Sequence, residues 1–253
     1  NRTGSNYISG RTNSIAFHPT DANTFYIGAA GGGVWKTIDG GVHFQPIMDN
    51  LGALTSGAVA VDPTNGNVIY VATGELNYSL DSYYGDGVYK SIDGGSSWTK
   101  IATTSYGKYF TAVIIDPQNP SIVYIAGSAG VYKSLNGGST WTYTYSNTYA
   151  NTLVMDPVNP QVLYTTTGYY NSNIIRKTTN GGGSWVTLTN GLPTSGAART
   201  ALAISASNAS VLYASIANSS GYGLLGLYRT TDAGATWTLQ NSTTNYLGSQ
   251  GWY

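Results

Sequence analysis

The stretch Ser91-Ile92-Asp93-Gly94-Gly95-Ser96-Ser97-Trp98 is one of five near-copies of the same phrase, and the spacing of the copies predicts the fold. The other copies begin at Thr37, Ser134, Thr178 and Thr230. From the acidic or amide residue of one copy to that of the next, the steps are 54, 43, 44 and 52 residues. Repeats of this period with strand-like flanks are typical of propeller blades or solenoids. We therefore expect a repeat protein rather than one mixed domain.

Each copy combines a side chain that accepts hydrogen bonds, one or more glycines and a closing aromatic ring. The acceptors are Asp39, Asp93, Asn136, Asn180 and Asp232, and the closing rings are Phe44, Trp98, Trp141, Trp185 and Trp237. The acceptor can bind nearby backbone N–H groups and glycine permits positive φ, so the phrase predicts a tight turn. The closing ring begins the next strand and can pack between neighbouring sheets. A structural role accounts for every residue of the repeat, and we favour it over catalysis by the repeated carboxylates.

A second repeat lies upstream of each turn. It is an apolar run that ends in an Asp-Pro pair in three of the five copies, as in Val59–Pro63. A second apolar strand centred on tyrosine follows, as in Val123–Ile125, and then a strand that ends in a basic residue, as in Gly87–Lys90. Continuous apolar runs favour strands buried on both faces. Four antiparallel strands in each repeat indicate a propeller blade.

The sequence thus predicts an all-β fold, a β-propeller of four-stranded antiparallel blades, within a single region over residues 1–253. Residues 241–253 resemble the lead-in to a further blade. A closed five-bladed ring and the first five blades of a larger propeller are both consistent with this pattern. The predicted blades are residues 12–48, 56–102, 110–145, 151–190 and 200–240.

Composition narrows the classes of function. Charged residues make up 9% of the 253 residues, with 11 basic and 11 acidic side chains, so the formal net charge is zero. A chain with this charge balance shows no excess of basic residues for binding nucleic acid. Its apolar stretches are strand-sized, so no membrane insertion is expected. The abundance of uncharged polar residues favours a secreted or cell-surface location.

The strongest candidate site is the loop after the second strand of the second predicted blade. It holds Glu75, the only glutamate of the chain, with Asp81, Asp86, Tyr83 and Tyr84. Paired carboxylates beside aromatic rings are residue types that glycoside hydrolases use. The same oxygens would suit a Ca²⁺ ion. The structural alternative is that these carboxylates cap turns or are solvated, and we favour it over both.

Other residues of the same predicted face complete a candidate ligand-binding set. Tyr169 and Tyr170 lie in the corresponding loop of the fourth blade, and Arg199 directly precedes the fifth. Together with Tyr83 and Tyr84 these side chains could contact a sugar. The two histidines, His18 and His43, have no zinc-ligand spacing, so no metal centre of that kind is expected.

The repeated turn resembles the Asp-box (BNR repeat), Ser/Thr-x-Asp-x-Gly-x-x-Trp, of sialidases, xyloglucanases and sortilin-type propellers. The whole chain is similar to sortilin-like and xyloglucanase-like propellers of secreted bacterial proteins, many from Bacteroidetes and exported by the type IX system. The residues that carry the resemblance lie in Ala16–Gly41 and Ala72–Ser91. It implies export by type IX secretion machinery and a propeller of more than five blades. No catalytic aspartate of a xyloglucanase falls on a matching motif here.

Three functions follow as hypotheses. The favoured one is a secreted or cell-surface binding or scaffold module with a glycan, protein or peptide ligand. The first alternative is a xyloglucanase-like glycoside hydrolase that uses the carboxylates of the second-blade loop. The second alternative is a sortilin-like peptide-binding propeller. A sialidase is not expected, because the five arginines of the chain do not form the cluster of three that its substrate carboxylate requires.

Overall fold

The structure, a computed structural model, describes residues 11–75, 82–146, 149–168, 174–248 and 250–251. These residues form five four-stranded sheets and one short 3-10 turn, Thr104–Tyr106. The predicted all-β architecture is therefore confirmed. The described part of the chain contains no helix whose length and apolarity would suit a bilayer crossing.

The strands follow the repeats of the sequence. The first sheet comprises β1 (Thr12–Phe17), β2 (Phe25–Ala29), β3 (Gly33–Thr37) and β4 (Gln45–Pro46). The second comprises β5 (Ser56–Asp62), β6 (Asn65–Thr73), β7 (Val88–Ser91) and β8 (Thr99–Ala102). The third comprises β9 (Phe110–Ile115), β10 (Val123–Gly127), β11 (Gly130–Ser134) and β12 (Thr142–Ser146). The fourth comprises β13 (Ala150–Met155), β14 (Leu163–Thr167), β15 (Ile174–Thr178) and β16 (Val186–Thr187). The fifth comprises β17 (Ala197–Ile204), β18 (Leu212–Asn218), β19 (Leu224–Thr230) and β20 (Thr238–Asn241).

Each sheet is an antiparallel meander whose strand order follows the chain. The first strands of successive sheets pack against one another, β1 on β5, β5 on β9, β9 on β13 and β13 on β17. This succession is the arrangement of propeller blades. Among the described residues no packing of comparable extent joins β17 to β1, so the five sheets form an open array.

The core lies between the sheets. Tyr26 and Val34 of the first sheet and Met48, which follows β4, for example, pack in one cluster with Ile69 and Val71 of the second sheet. Burial of the strands differs in part from the sequence pattern. All five residues of β10 are buried, as a continuous apolar run predicts. All five residues of β14 are buried too, although three of them are threonines. The same expectation is wrong for the first strands β9 and β13, which are only partly buried, because a first strand has a hydrogen-bonded neighbour on one side only.

The repeated turns, residues 37–44, 91–98, 134–141, 178–185 and 230–237, share one hydrogen-bond pattern. In the second turn the Asp93 carboxylate accepts from the Ser91 hydroxyl at 2.7 Å and from the Ser97 backbone N–H at 2.9 Å. The Ser91 hydroxyl oxygen in turn accepts from the Gly95 N–H at 2.9 Å. Positive φ angles of 70° at Gly94 and 91° at Gly95 make this closure possible. The turn is therefore closed by its own side chains.

Candidate functional site

The second-sheet loop, which connects β6 to β7, is shaped by one buried hydroxyl at its base. Thr73 Oγ1 donates to the Gly87 carbonyl at 2.7 Å and accepts from the backbone N–H groups of Asp86 and Gly87 at 2.8 and 3.0 Å. The two ends of the loop are thereby held together. Asp81, one of the three candidate carboxylates, lies outside the described residues.

Glu75 is almost completely buried, with 1% of its surface exposed. Its carboxylate forms an ion pair with the Arg11 guanidinium, which lies just before β1. The backbone of Glu75 forms a parallel bridge with Phe110, the first residue of β9. A buried charge is tolerated when it is paired and hydrogen-bonded, and removing one partner is strongly destabilising. Glu75 therefore joins elements of three sheets.

Asp86 is held by two partners on its own sheet. Its carboxylate accepts from the Tyr89 hydroxyl and from the Lys100 ammonium group. The Lys100 ammonium also lies 5.4 Å from the centre of the Tyr89 ring. The hydrogen bond from Lys100, and then that from Tyr89, lowers the pKa of Asp86. A carboxylate that is kept ionised by two accepted hydrogen bonds is a poor general acid.

The described residues do not assemble a metal centre. No group of three or more histidine, cysteine, aspartate or glutamate side chains within them could hold an ion. Because Asp81 is outside the described residues and Glu75 and Asp86 are engaged elsewhere, the Ca²⁺ site at this loop remains a prediction.

The aromatic residues of the loop are presented to solvent. Tyr83 and Tyr84 are 65% and 62% exposed. The ring of Tyr84 lies 4.9 Å from that of Tyr109, and the Lys108 ammonium group is 5.0 Å from the Tyr84 ring centre. The Gly85 N–H donates to the Lys108 carbonyl at 2.7 Å, which ties the loop to the segment before β9. We call Tyr83, Tyr84 and Tyr109 the tyrosine platform.

The remaining candidate ligand-binding residues are Tyr169, Tyr170 and Arg199. Tyr169 and Tyr170 lie outside the described residues, and Arg199 is half-buried in β17. Lys108 was not among the candidate residues of the sequence. No motif indicates it, because its contact with the Tyr84 ring depends on how two separate loops meet in the fold.

A cavity of about 480 Å³ lies between the fourth and fifth sheets, away from the second-sheet loop. Its wall includes Ile174, Leu192, Pro193, Ala197 and Ile216, with threonine and serine hydroxyls between them. None of the described residues in this wall is ionisable. The described wall therefore supplies no general acid or base.

Comparison with known proteins supports the fold. No protein-family profile matches the chain. A xyloglucanase from Paenibacillus sp is 24% identical over 252 residues, which cover 94% of this chain and 22% of that relative.

Solved structures of GH74 enzymes share the architecture. The enzyme of Niastella koreensis has a TM-score of 0.68 at 21% identity and covers 90% of this chain and 38% of its own. An ancestral GH74 enzyme has a TM-score of 0.72 at 24% identity, and the match covers 91% of this chain and 31% of that enzyme. The GH74 xyloglucanase of Xanthomonas campestris has a TM-score of 0.62 at 15% identity, and the match covers 92% of this chain and 45% of that enzyme. The chain thus spans less than half the length of each of these relatives, and the likeness shows the β-propeller fold.

Proposed function

We propose that this chain is part of a secreted β-propeller that binds a xyloglucan-like polysaccharide, with the tyrosine platform as one of its sugar contacts. The observation that carries the proposal is the pair of exposed rings at Tyr83 and Tyr84. The xyloglucanase relative, whose alignment covers nearly all of this chain, supports the substrate class. The binding role agrees with the hypothesis drawn from the sequence.

The chemistry of the platform suits a sugar. A tyrosine ring offers an apolar face for the C–H face of a pyranose and a hydroxyl for its polar edge. The contacts of Tyr84 with Tyr109 and Lys108 restrict its ring without covering it, which lowers the entropy lost on binding. The Lys108 ammonium group adds a hydrogen-bond donor beside the ring.

The platform is tested by replacing both exposed rings. We expect Tyr83→Ala combined with Tyr84→Ala to weaken binding of xyloglucan oligosaccharides about ten-fold or more, because two stacked rings contribute about 1–3 kcal/mol. Isothermal titration calorimetry on the 253-residue chain measures the affinity. The matched control is Tyr246→Ala, which removes a ring of 52% exposure near the fifth sheet and should leave the affinity unchanged. Equal affinity of the double variant and the control would refute the platform.

Hydrolysis is the second candidate, because the relatives are xyloglucanases. Glu75 and Asp86 are engaged in ion pairs, so we assign them structural roles. If the chain releases reducing ends from xyloglucan, we expect Asp86→Asn to retain that activity per folded molecule. Circular dichroism checks the fold, and Lys100→Met, which removes the partner of Asp86, is the control. A folded Asp86→Asn variant that loses all cleavage, beside an active Lys100→Met variant, would restore a catalytic role to Asp86.

The remaining hypotheses rest on the resemblance alone. Peptide binding of the sortilin kind and export by the type IX machinery both stay predictions. A peptide ligand would become the better proposal if the chain bound no polysaccharide but captured a defined peptide.

A further inference from the structure

Asparagine followed by glycine is a reactive setting for the asparagine side chain, and the sequence contains four such pairs. They are Asn65-Gly66, Asn136-Gly137, Asn180-Gly181 and Asn190-Gly191. In each pair the backbone nitrogen of the glycine can attack the side-chain amide carbon, because no β-carbon on the second residue obstructs the approach. The attack requires a glycine N–H that can lose its proton and an asparagine side chain that is free to turn. The fold meets these two requirements at some pairs and not at others.

The pairs in the third and fourth repeated turns are held by hydrogen bonds on both reacting groups. In the third turn the Gly137 N–H donates to the Ser121 carbonyl at 2.8 Å. The Asn136 side chain accepts from the Thr140 N–H at 2.8 Å and donates to the Thr140 hydroxyl at 2.9 Å. The fourth turn has the same bonds at Gly181, Gln161, Asn180 and Ser184. Neither requirement is met in these turns, because the nitrogen and the amide are both engaged.

The pair at the start of β6 is enclosed by packing. The Asn65 side-chain oxygen accepts from the Asn67 N–H at 3.1 Å. Gly66 is buried, and the His18 ring lies so close to it that a β-carbon would not fit. A base in solvent therefore has no access to this glycine.

Asn190-Gly191, on the connection from the fourth to the fifth sheet, meets both requirements. The two residues are exposed and form the centre of a turn that the bond from the Leu192 N–H to the Thr189 carbonyl closes at 3.1 Å. Gly191 has the positive φ, 81°, of the third residue of a type II turn, whose N–H is not used by the turn itself. Within the described chain this N–H donates to no acceptor. The described contacts of the Asn190 side chain comprise one hydrogen bond, from its amide to the Ala235 carbonyl at 3.2 Å.

We propose that Asn190 is a site of spontaneous covalent modification, deamidation, in the folded chain. Hydroxide removes the proton of the Gly191 N–H, and the nitrogen forms a bond to the Asn190 side-chain carbon Cγ. The bond from Cγ to Nδ2 breaks, and the leaving nitrogen takes a proton from water and departs as ammonia. Water then opens the resulting succinimide ring at either carbonyl and gives aspartate or isoaspartate. One water is consumed and one ammonia is released, with no oxidation or reduction.

Both products weaken the contact between this connection and the fifth repeated turn. The Asn190 main-chain carbonyl accepts from the Trp237 N–H at 3.0 Å, and the side-chain amide donates to Ala235. A carboxylate cannot donate, so aspartate loses the second bond and places a negative charge beside a carbonyl oxygen. Isoaspartate also lengthens the backbone and turns the main-chain carbonyl into a free carboxylate, which disturbs the first bond. Gly191 packs too closely on the Trp237 backbone to admit a β-carbon, so this part of the connection has little room to readjust.

Peptide mapping by mass spectrometry, during incubation of the 253-residue chain at mildly alkaline pH, tests the proposal. In the folded chain we expect Asn190 to convert at least about ten-fold faster than Asn136 and Asn180, since those two residues must first give up several hydrogen bonds. In guanidinium chloride, where the chain is unfolded, the three rates should become similar, because glycine follows each asparagine. An Asn190 that converts no faster than the other two in the folded chain would overturn the proposal.

The matched variant is Asn190→Gln, because glutamine keeps a side-chain amide but closes the corresponding larger ring far more slowly. The midpoint of urea unfolding should fall in the wild type as the converted fraction rises, whereas the variant should keep its midpoint through the same incubation. An equal decline in both proteins would overturn the consequence assigned to the fifth turn. The inference is independent of the proposed polysaccharide binding.

Discussion

At the scale of single residues, one repeated turn departs from the others in its backbone chemistry. The first residue after the acidic or amide position is glycine in four turns, with φ between 63° and 74°, but alanine in the fifth. Ala233 adopts φ 56°, a conformation that the β-carbon of an L-residue disfavours. The turn keeps its shape because Thr230 and Asp232 close it with the same hydrogen-bond pattern as the other copies. The Thr230 hydroxyl donates to the Asp232 carboxylate at 2.7 Å and accepts from the Gly234 N–H at 2.9 Å.

We expect Ala233→Gly to stabilise the chain by up to about 1 kcal/mol, since the relief of left-handed strain exceeds the entropy that glycine adds to the unfolded chain. The free energy of unfolding in urea measures the change. Ala235→Gly is the control in the same turn, because Ala235 has no positive φ and its replacement should be neutral or destabilising. Equal effects of the two substitutions would show that Ala233 carries no strain.

At the scale of elements, the local parts of the fold were predictable and the contacts between sheets were not. The turn at Asp93 is specified by residues within a few positions of it, so its spacing in the sequence was sufficient to locate it. The ion pair of Glu75 joins residues 64 positions apart, and nothing near Glu75 in the sequence marks Arg11 as its partner. The cross-strand pair of Tyr124 and Lys133 is intermediate, since a tyrosine and a basic residue recur in every repeat but their register across strands becomes visible only in the folded sheet.

In the candidate site, too, local features were predictable and contacts with distant residues were not. The exposure of the Tyr83 and Tyr84 side chains agrees with a loop rich in small polar residues. The sequence could not separate the engaged carboxylate of Asp86 from a free one, because Lys100 reaches it from the fourth strand of the sheet.

At the scale of the whole molecule, the repeated turns give the array an uneven response to acid. Three turns contain an aspartate and two an asparagine, and only the aspartates titrate. Hydrogen bonds from Ser97 and Ser91 lower the pKa of Asp93 to about 2, and bonds from Thr236 and Thr230 lower the pKa of Asp232 to about 2. Both values lie below the ordinary value of 3.8. The stability they contribute is therefore complete above pH 3.8 and is lost as the pH falls towards 2.

The asparagine turns show how this dependence can be removed. Asn136 accepts from the Thr140 N–H at 2.8 Å, as an aspartate would, and its amide donates to the Thr140 hydroxyl at 2.9 Å. In the second turn the Ser97 hydroxyl instead donates to Asp93 at 2.6 Å. A hydroxyl can do either, so an aspartate and an asparagine are interchangeable in this turn at neutral pH.

We expect Asp93→Asn combined with Asp232→Asn to keep the fold at neutral pH and to reduce the loss of thermal stability between pH 3.8 and about 2, because two carboxylates with lowered pKa no longer take up protons there. Melting temperatures across this range measure the slope. The reciprocal substitution Asn136→Asp should steepen it, since it adds a carboxylate to the same hydrogen-bond pattern. Parallel curves for the wild type and both variants would mean that the turns do not set the acid response, which would then fall to ion pairs such as that of Asp86 with Lys100.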